Sequence, residues 1–508
     1  MTRRPHANPT SRTPRRARLE SRLPLGRATL SRSGRAVVAQ RVRPRVLARL
    51  MAREAASLGV LLAVPLIVAV AAGAGELALR LGGMLVPVAA MTWWGRRGGE
   101  LGDVHGIEAL AVSALTFALG ALLGVWPFMA LDLDPMRALF EAMSAITSTG
   151  LTMVESPETL PFSALFLRAW FQWYGGLAIL VLAVGLVIGS GSVARRLGAL
   201  DLDDASRVES IKTRSRRVLA LYVAITLVAW AVLAVAFGDA EAGLLYALAA
   251  VATGGFAPEG DSLAGAPAVA AALVLGICLF SAASYDQWLR TRRSGWRGLA
   301  ADPEVRLLAG LCLSAGLLIA LFQWWSGAGA GFGDAFAHAI SAQTTAGFST
   351  VATDAFSAPS QVVLIVSMLV GGDVGSTAGG FKLVRLLVLV AVLRVIWLRI
   401  AAGPRAVLPL ERSGARIEQA ELENAVALAV VMATALLAAW LVFLAHGVAP
   451  LAALFETASA LGTAGLSAGV VGADLAPSLT AVLTGLMWLG RVELFAVLIL
   501  VLPKTWRR

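Results

Sequence analysis

The chain has 508 residues, of which 58% are hydrophobic and only 15% charged, with a mean hydropathy of +0.76. A soluble domain carries roughly 25% charged residues, so this composition excludes an ordinary water-soluble globular protein and points to a bilayer. The formal net charge of +11 does not make the body basic, because residues 1–50 hold fourteen arginines against the single acid Glu20.

That Arg-rich segment comes first in the chain. Residues 1–54 are also rich in Ser and Pro and lack a long apolar run, which predicts a disordered, basic cytoplasmic tail. The same composition fits a misassigned start upstream of Met51, a grip on anionic lipid headgroups, or a transit peptide. It contains no folded nucleic-acid motif, so no nucleic-acid partner is expected. Apolar stretches near 56–75 and 77–95 predict a helix pair over 55–104, its second member weakened by Arg80 and Pro87. Beyond 105, runs such as 106–131 and 422–446 match the roughly 20 residues that cross about 30 Å of hydrocarbon.

Lys and Arg gather in cytoplasmic loops close to the membrane. They cluster here at 191–217, 288–306, 394–416 and in the closing KTWRR, whereas 127–162, 238–266, 327–360 and 447–478 contain only Arg137. The chain therefore runs inside, outside, inside four times, over 105–195, 214–290, 303–400 and 420–508, with both termini cytoplasmic. The expected fold is an all-α polytopic membrane protein of four repeats around one axis, with the N-terminal helix pair added.

Each outer segment passes from a short small-residue helix into a Gly-centred string: STGLT at 148, TGGFA at 253, TAGFS at 345 and TAGLS at 463. Superposed on Gly150, Gly255, Gly347 and Gly465, all four have a hydroxyl two residues earlier (Ser148, Thr253, Thr345, Thr463). The residue between is Thr149, Gly254, Ala346 or Ala464, and a large apolar side chain follows. Five residues before the glycine stands alanine, at 145, 250, 342 and 460. Backbone that leaves a helix at membrane depth must be satisfied by protein or line a watered cavity. Four such strings around one axis can offer carbonyl oxygens in place of an ion's water shell. Glycine permits the backbone angles this needs, the short helices aim their negative C-terminal ends at the cation, and small faces let the units approach. These twelve residues are the expected ion-binding site, with the transported ion as the only metal.

The third repeat carries an anomaly. From Gln361 to Leu398 the apolar pattern would make a helix of nearly 60 Å at roughly 1.5 Å per residue, about twice the hydrocarbon thickness. It must break, and GGDVGSTAGGFK over 371–382 is where: Gly371, Gly372, Gly375, Gly379 and Gly380 with Asp373, Ser376 and Thr377 suit non-helical backbone beside water. Charges inside spans are costly and functional by default, which singles out Arg491, about thirteen residues into the last helix, with Glu493 as a possible pair. Lys382 and Arg385 are expected to snorkel to the inner interface, and Arg168 and Gln172 to support the short helices by hydrogen bonding.

With these strings, RAWFQWYGG at 168, GGDVGSTAGGFK at 371 and GRVELF at 490, the chain from about 105 onward resembles the Trk/Ktr/HKT superfamily of potassium transporters. The resemblance implies four helix, pore-loop, helix repeats with pseudo-fourfold symmetry, and glycine in every filter string implies potassium over sodium. It implies that the Gly-rich loop of repeat 3 is an intramembrane gate, with Arg491 facing the cavity beside it. It further implies the extra helix pair of Trk-type members, a homodimer in the cytoplasmic (inner) membrane, and a separate cytoplasmic nucleotide-binding regulatory subunit. Asp373 departs from the small or neutral residue expected in that loop.

Two other classes fit less well. An inverted-repeat secondary transporter would have repeats of opposite orientation, whereas these share one. An intramembrane enzyme would need a catalytic constellation, and neither HExxH nor a nucleophile elbow occurs. Cys278 and Cys312 lie in apolar segments, and the histidines at 6, 105, 338 and 446 form no short-spaced pair, so neither a disulfide, a resident metal nor a cofactor is expected.

Overall fold

In the computed structural model, seven helices among the described residues are long and apolar enough to cross a membrane: Pro44–Ala71, Gly75–Arg97, Ile107–Leu131, Phe162–Ala183, Thr213–Phe237, Pro303–Ser326 and Gln419–Ala445. The structure describes residues 29–30, 36–37, 42–97, 106–189, 204–327, 329–401, 409–412, 415–492, 494–501 and 505–506. His6, His105, Glu493 and nearly all of the Arg-rich segment before Val42 lie outside them. Contacts divide the chain into units 1–41 and 42–508. In the first, Thr29–Leu30 pairs antiparallel with Ala36–Val37; the second is a polytopic helical membrane fold.

The N-terminal pair begins earlier than its sequence suggests. Residues 44–54, assigned above to a disordered tail, form the first two turns and more of the helix Pro44–Ala71, with Pro44 at its first turn. Arg43 fixes that start: its Nε and Nη2 each lie 2.8 Å from a different oxygen of the buried Glu108 carboxylate, a bidentate pair. Arg80 and Pro87 do not interrupt the second helix, Gly75–Arg97. Arg80 meets Glu76 one turn away and donates to the Trp126 carbonyl, so its charge is partnered inside the span.

Four repeats follow, each with a first helix, a short helix and a second helix. The short helices are Pro135–Ile146, Ala240–Val251, Phe332–Gln343 and Pro450–Gly462. Three have a carboxylate at the N-terminus: Asp134 accepts from Met136 N and Arg137 N, Asp239 from Glu241 N, and Asp334 from Gly331 N. Their small-residue faces are buried, with Ala145, Ala250, Ala342 and Ala460 all fully so.

Among the described residues, the first repeat's second helix runs without a break over Phe162–Gly189. The others break, into Ala268–Ala282 and Tyr285–Ala301, Ala358–Val370 and Leu383–Ala401, and Pro477–Arg491 and Leu494–Val501. The third repeat's break is the one its glycines announce. In the second repeat the cause is external: the Ala282 carbonyl accepts from Asp373 N at 3.0 Å, and Tyr285 N donates to the Gly375 carbonyl at 3.0 Å. Loop 371–382 thus satisfies backbone groups that a continuous helix would have paired internally. Arg491, placed by sequence within a continuous last helix, instead ends its first half.

Candidate functional site

The end of each short helix builds the site. In every repeat the hydroxyl residue two before the glycine donates its N–H to the carbonyl three residues back, and the next residue donates to the carbonyl five back. In repeat 1, Ser148 N reaches Ala145 O and Thr149 N reaches Ser144 O, both at 2.9 Å; Thr253 and Gly254, Thr345 and Ala346, and Thr463 and Ala464 repeat the pattern at 2.8–3.2 Å. This is a Schellman ending, which needs a left-handed residue where glycine is the cheapest choice. Here that residue is Ser148, Thr253, Thr345 or Thr463, at φ of 48°, 49°, 52° and 49°. A left-handed residue with a side chain costs about 1–2 kcal/mol, and the hydroxyl is what that strain retains. Thr345 Oγ1 accepts from Gly379 N at 2.6 Å, and Thr253 Oγ1 lies 3.3 Å from Thr377 Oγ1. Ser148 Oγ and Thr463 Oγ1 are buried without a protein partner.

Two residues on, Gly150, Gly255, Gly347 and Gly465 are again left-handed, at φ of 98°, 79°, 78° and 85°. A Cβ on Gly347 would stand 2.5 Å from the Ala464 carbonyl oxygen. On Gly465 it would meet the Thr149 carbonyl, on Gly150 the Gly254 carbonyl, and on Gly255 the Ala346 carbonyl. Each glycine therefore abuts the next string around, in the cyclic order 1, 2, 3, 4, and the ring closes. All four border one vestibule of about 270 Å³, which the carboxylates of Glu259 and Asp354 also line.

The loop of repeat 3 crosses the side of this ring opposite the vestibule. Gly379 leaves no room for a Cβ against Thr463 Oγ1 and the Gly462 carbonyl, and Gly371 and Gly380 abut each other. Gln343 Nε2 donates to the Gly371 carbonyl at 2.7 Å. Thr377 Oγ1 lies 3.2 and 3.3 Å from the carbonyls of Val251 and Ser281, and Ser376 Oγ donates to the Asp373 carbonyl. Arg491, 4% exposed, donates from Nη1 to the Thr377 carbonyl at 2.6 Å, while its Nε and Nη2 have no protein partner. Gly372 packs against Ala378 and Ala282. Beneath lies a cavity of about 60 Å³ bordered by Gly375, Ser376, Gly379, Gly380 and Arg491. Lys382 and Arg385 border it too; Lys382 Nζ donates to the Ala378 carbonyl. The Asp373 carboxylate is 1% exposed, with Oδ1 accepting from Val374 N at 2.7 Å and Oδ2 unpartnered.

Gln172 and Arg168 brace the strings from behind. Gln172 donates to the Gly254 carbonyl and accepts from Phe256 N at 3.2 Å, gripping both sides of Gly255. Arg168 meets Glu141 at 3.0 Å, donates to Thr152 Oγ1 at 2.9 Å, and stacks 4.1 Å over the Phe256 ring.

Sequence reasoning missed one whole layer, nine residues before each glycine, where Glu141, Tyr246, His338 and Glu456 are at most 2% exposed. Each ties its short helix to the segment leaving the ring. Glu141 accepts from Thr152 Oγ1 and Met153 N, Tyr246 donates to the Ser262 carbonyl, and His338 Nε2 lies 3.2 Å from the Val351 carbonyl. Glu456 accepts from Ser467 Oγ, Ala468 N and Val470 N. The available signal was position alone, a polar residue at the same offset in four apolar helices.

The family model for TrkH, described as a cation transport protein, matches residues 115–291 and 327–507. The chain belongs to this family. It is 27% identical over 456 residues to the Trk system potassium uptake protein TrkH of Escherichia coli strain K12, covering 86% of this chain and 93% of that protein. It is 29% identical over 429 residues to the protein of the same name from Halomonas elongata, covering 79% and 86%. The crystal structure of the potassium transporter TrkH from Vibrio parahaemolyticus superposes with a TM-score of 0.81 at 23% identity, covering 92% of this chain and 100% of that one, which shows the shared fold. The family is one of transporters, in line with the expectation that the chain is not an enzyme.

Proposed function

We propose that the chain is the pore-forming subunit of a potassium uptake system, conducting dehydrated potassium through the four-glycine ring and gated by loop 371–382. The carrying observation is the closed contact of Gly150, Gly255, Gly347 and Gly465, each against the carbonyl before the next glycine. Ions need several oxygens at one depth to replace water, and the left-handed glycines and hydroxyl residues crowd such oxygens around one axis. Selectivity for potassium over sodium belongs to this ring. The loop ties to the hydroxyl residues above it and to Arg491 below, so its displacement would open the inner mouth. The kinship with potassium uptake proteins supports the same reading. It extends to a homodimer in the cytoplasmic (inner) membrane, termini inside, working with a separate nucleotide-binding regulatory subunit.

The test is growth of a potassium-uptake-deficient host on limiting potassium, with parallel rubidium and sodium uptake, comparing the native chain with Gly347→Ser. The native chain should restore growth and take up rubidium in preference to sodium. The variant should lose that preference, because its side chain meets the Ala464 carbonyl at a left-handed position. Native protein that reaches the membrane and moves neither ion would overturn the reading.

A further inference from the structure

The layer nine residues before the ring is uniform in position and uneven in charge. Tyr246 is a phenol and His338 sits between two backbone carbonyls, those of Asp334 and Val351. The carboxylate of Glu141 is matched by Arg168 at 3.0 Å, both groups being at most 2% exposed. Glu456 is as deeply buried as Glu141, and among the described residues no basic side chain pairs with it.

The hydrogen bonds indicate which form of Glu456 the fold accommodates. Ser467 Oγ at 2.7 Å, Ala468 N at 2.8 Å and Val470 N at 3.1 Å all converge on Oε1, whereas Oε2 has no hydrogen-bond partner. Three donors on one oxygen favour the anion. The acid form would place its hydroxyl on Oε2 and bury a donor without an acceptor. A buried anion nonetheless needs a positive charge nearby, and the segment that Glu456 braces starts at Gly465 of the ring.

We propose that Glu456 is a charged positioning residue whose carboxylate is balanced by the cation held in the glycine ring, so that repeat 4 supplies much of the ring's cation affinity. This rests on the ring being a potassium filter. Repeats 2 and 3 brace the ring with residues other than carboxylates and repeat 1 with a neutralised pair, which leaves repeat 4 as the quadrant whose buried strut carries an uncompensated negative charge.

The experiment is rubidium uptake into proteoliposomes containing the full-length protein, with KM and maximal rate measured separately. Glu456→Gln keeps an accepting oxygen and the side chain's shape while removing the charge. It is expected to raise KM by about tenfold, equivalent to ~1.4 kcal/mol, with the maximal rate near native. Ser467→Ala removes one donor and keeps the charge, so its KM should stay near native. Equal KM for native and Glu456→Gln protein overturns the proposal, as does an equal rise in both variants, which would mark a purely structural strut. Should Glu456→Gln not fold, infrared difference spectra of the Asp373→Ser protein in rubidium against choline decide. A shifted carboxylate band is expected, and a buried carboxylic-acid carbonyl band in rubidium refutes. If native protein moves no rubidium, the filter reading itself fails, an outcome distinct from unchanged affinity in the variant.

Discussion

Replacing Arg491 with alanine tests the proposed gate most directly. The Nη1 donor lies 2.6 Å from the Thr377 carbonyl of the loop, and the side chain is 4% exposed. A hydrogen bond from a charged group contributes roughly 1.5–3 kcal/mol, a factor of about 10 to 150 in the ratio of closed to open loop. The lower end applies, because Nε and Nη2 are buried without protein partners and their desolvation offsets part of the gain. Arg491→Ala should therefore raise the maximal rate of rubidium uptake about tenfold and leave KM unchanged, since the ring above is untouched. Arg491→Lys keeps the charge but not the fork, and should fall between. The assay is rubidium uptake in cells depleted of potassium, normalised to protein in the membrane. An alanine variant with a maximal rate at or below native would refute the latch.

Three further outcomes follow from the same geometry. Gly347→Ala places a Cβ 2.5 Å from the Ala464 carbonyl at φ 78°, whereas Gly276→Ala meets nothing within 4 Å; rubidium uptake should fall at least about tenfold in the first and stay native in the second. Arg168→Met leaves Glu141 buried without its cation, a loss of roughly 3–5 kcal/mol that thermal unfolding in detergent should detect, and the Arg168→Met, Glu141→Met double variant should regain part of it. Asp373→Ser keeps the main-chain tie to Ala282 and removes the carboxyl oxygen that accepts from Val374 N at 2.7 Å, so on the proposed gate the loop is held less firmly and the maximal rate of rubidium uptake should rise about two- to tenfold, with the Gly347 phenotype absent.

The ring was legible in the sequence because its cause is local. Two left-handed residues at fixed spacing confine the choice to glycine and a few tolerated hydroxyl residues, and four strings in phase expose that constraint. The break in repeat 3 was legible for the same reason, with five glycines between apolar runs. The break in repeat 2 was not. Ala283 and Ser284 are extended with neither glycine nor proline at hand, and what holds them open is the backbone of Asp373 and Gly375, about ninety residues away in sequence. A tertiary hydrogen bond leaves no mark on the segment that receives it, beyond the polar run of Ser281, Ser284 and Asp286 within an apolar span. The start of the first helix was hidden too, since the bidentate pair of Arg43 with Glu108 looks in sequence like one more charge in a basic tail.

The symmetry of the site lies in its backbone rather than its side chains. Four Schellman endings place four strained hydroxyl residues and four left-handed glycines alike, yet the groups that hold them are a Glu with an Arg, a Tyr, a His and a lone Glu. Strain of about 1–2 kcal/mol at each left-handed Ser or Thr persists only where the surroundings over-determine it. Any buried side chain that reaches from the short helix to the outgoing segment meets that need, so the strut is free to vary in kind. On the proposed filter, charge is not free in the same way, because a carboxylate beside the ring would act on the ion as well as on the backbone. The differences among the four struts are therefore where this fold can set affinity without altering the ring's geometry.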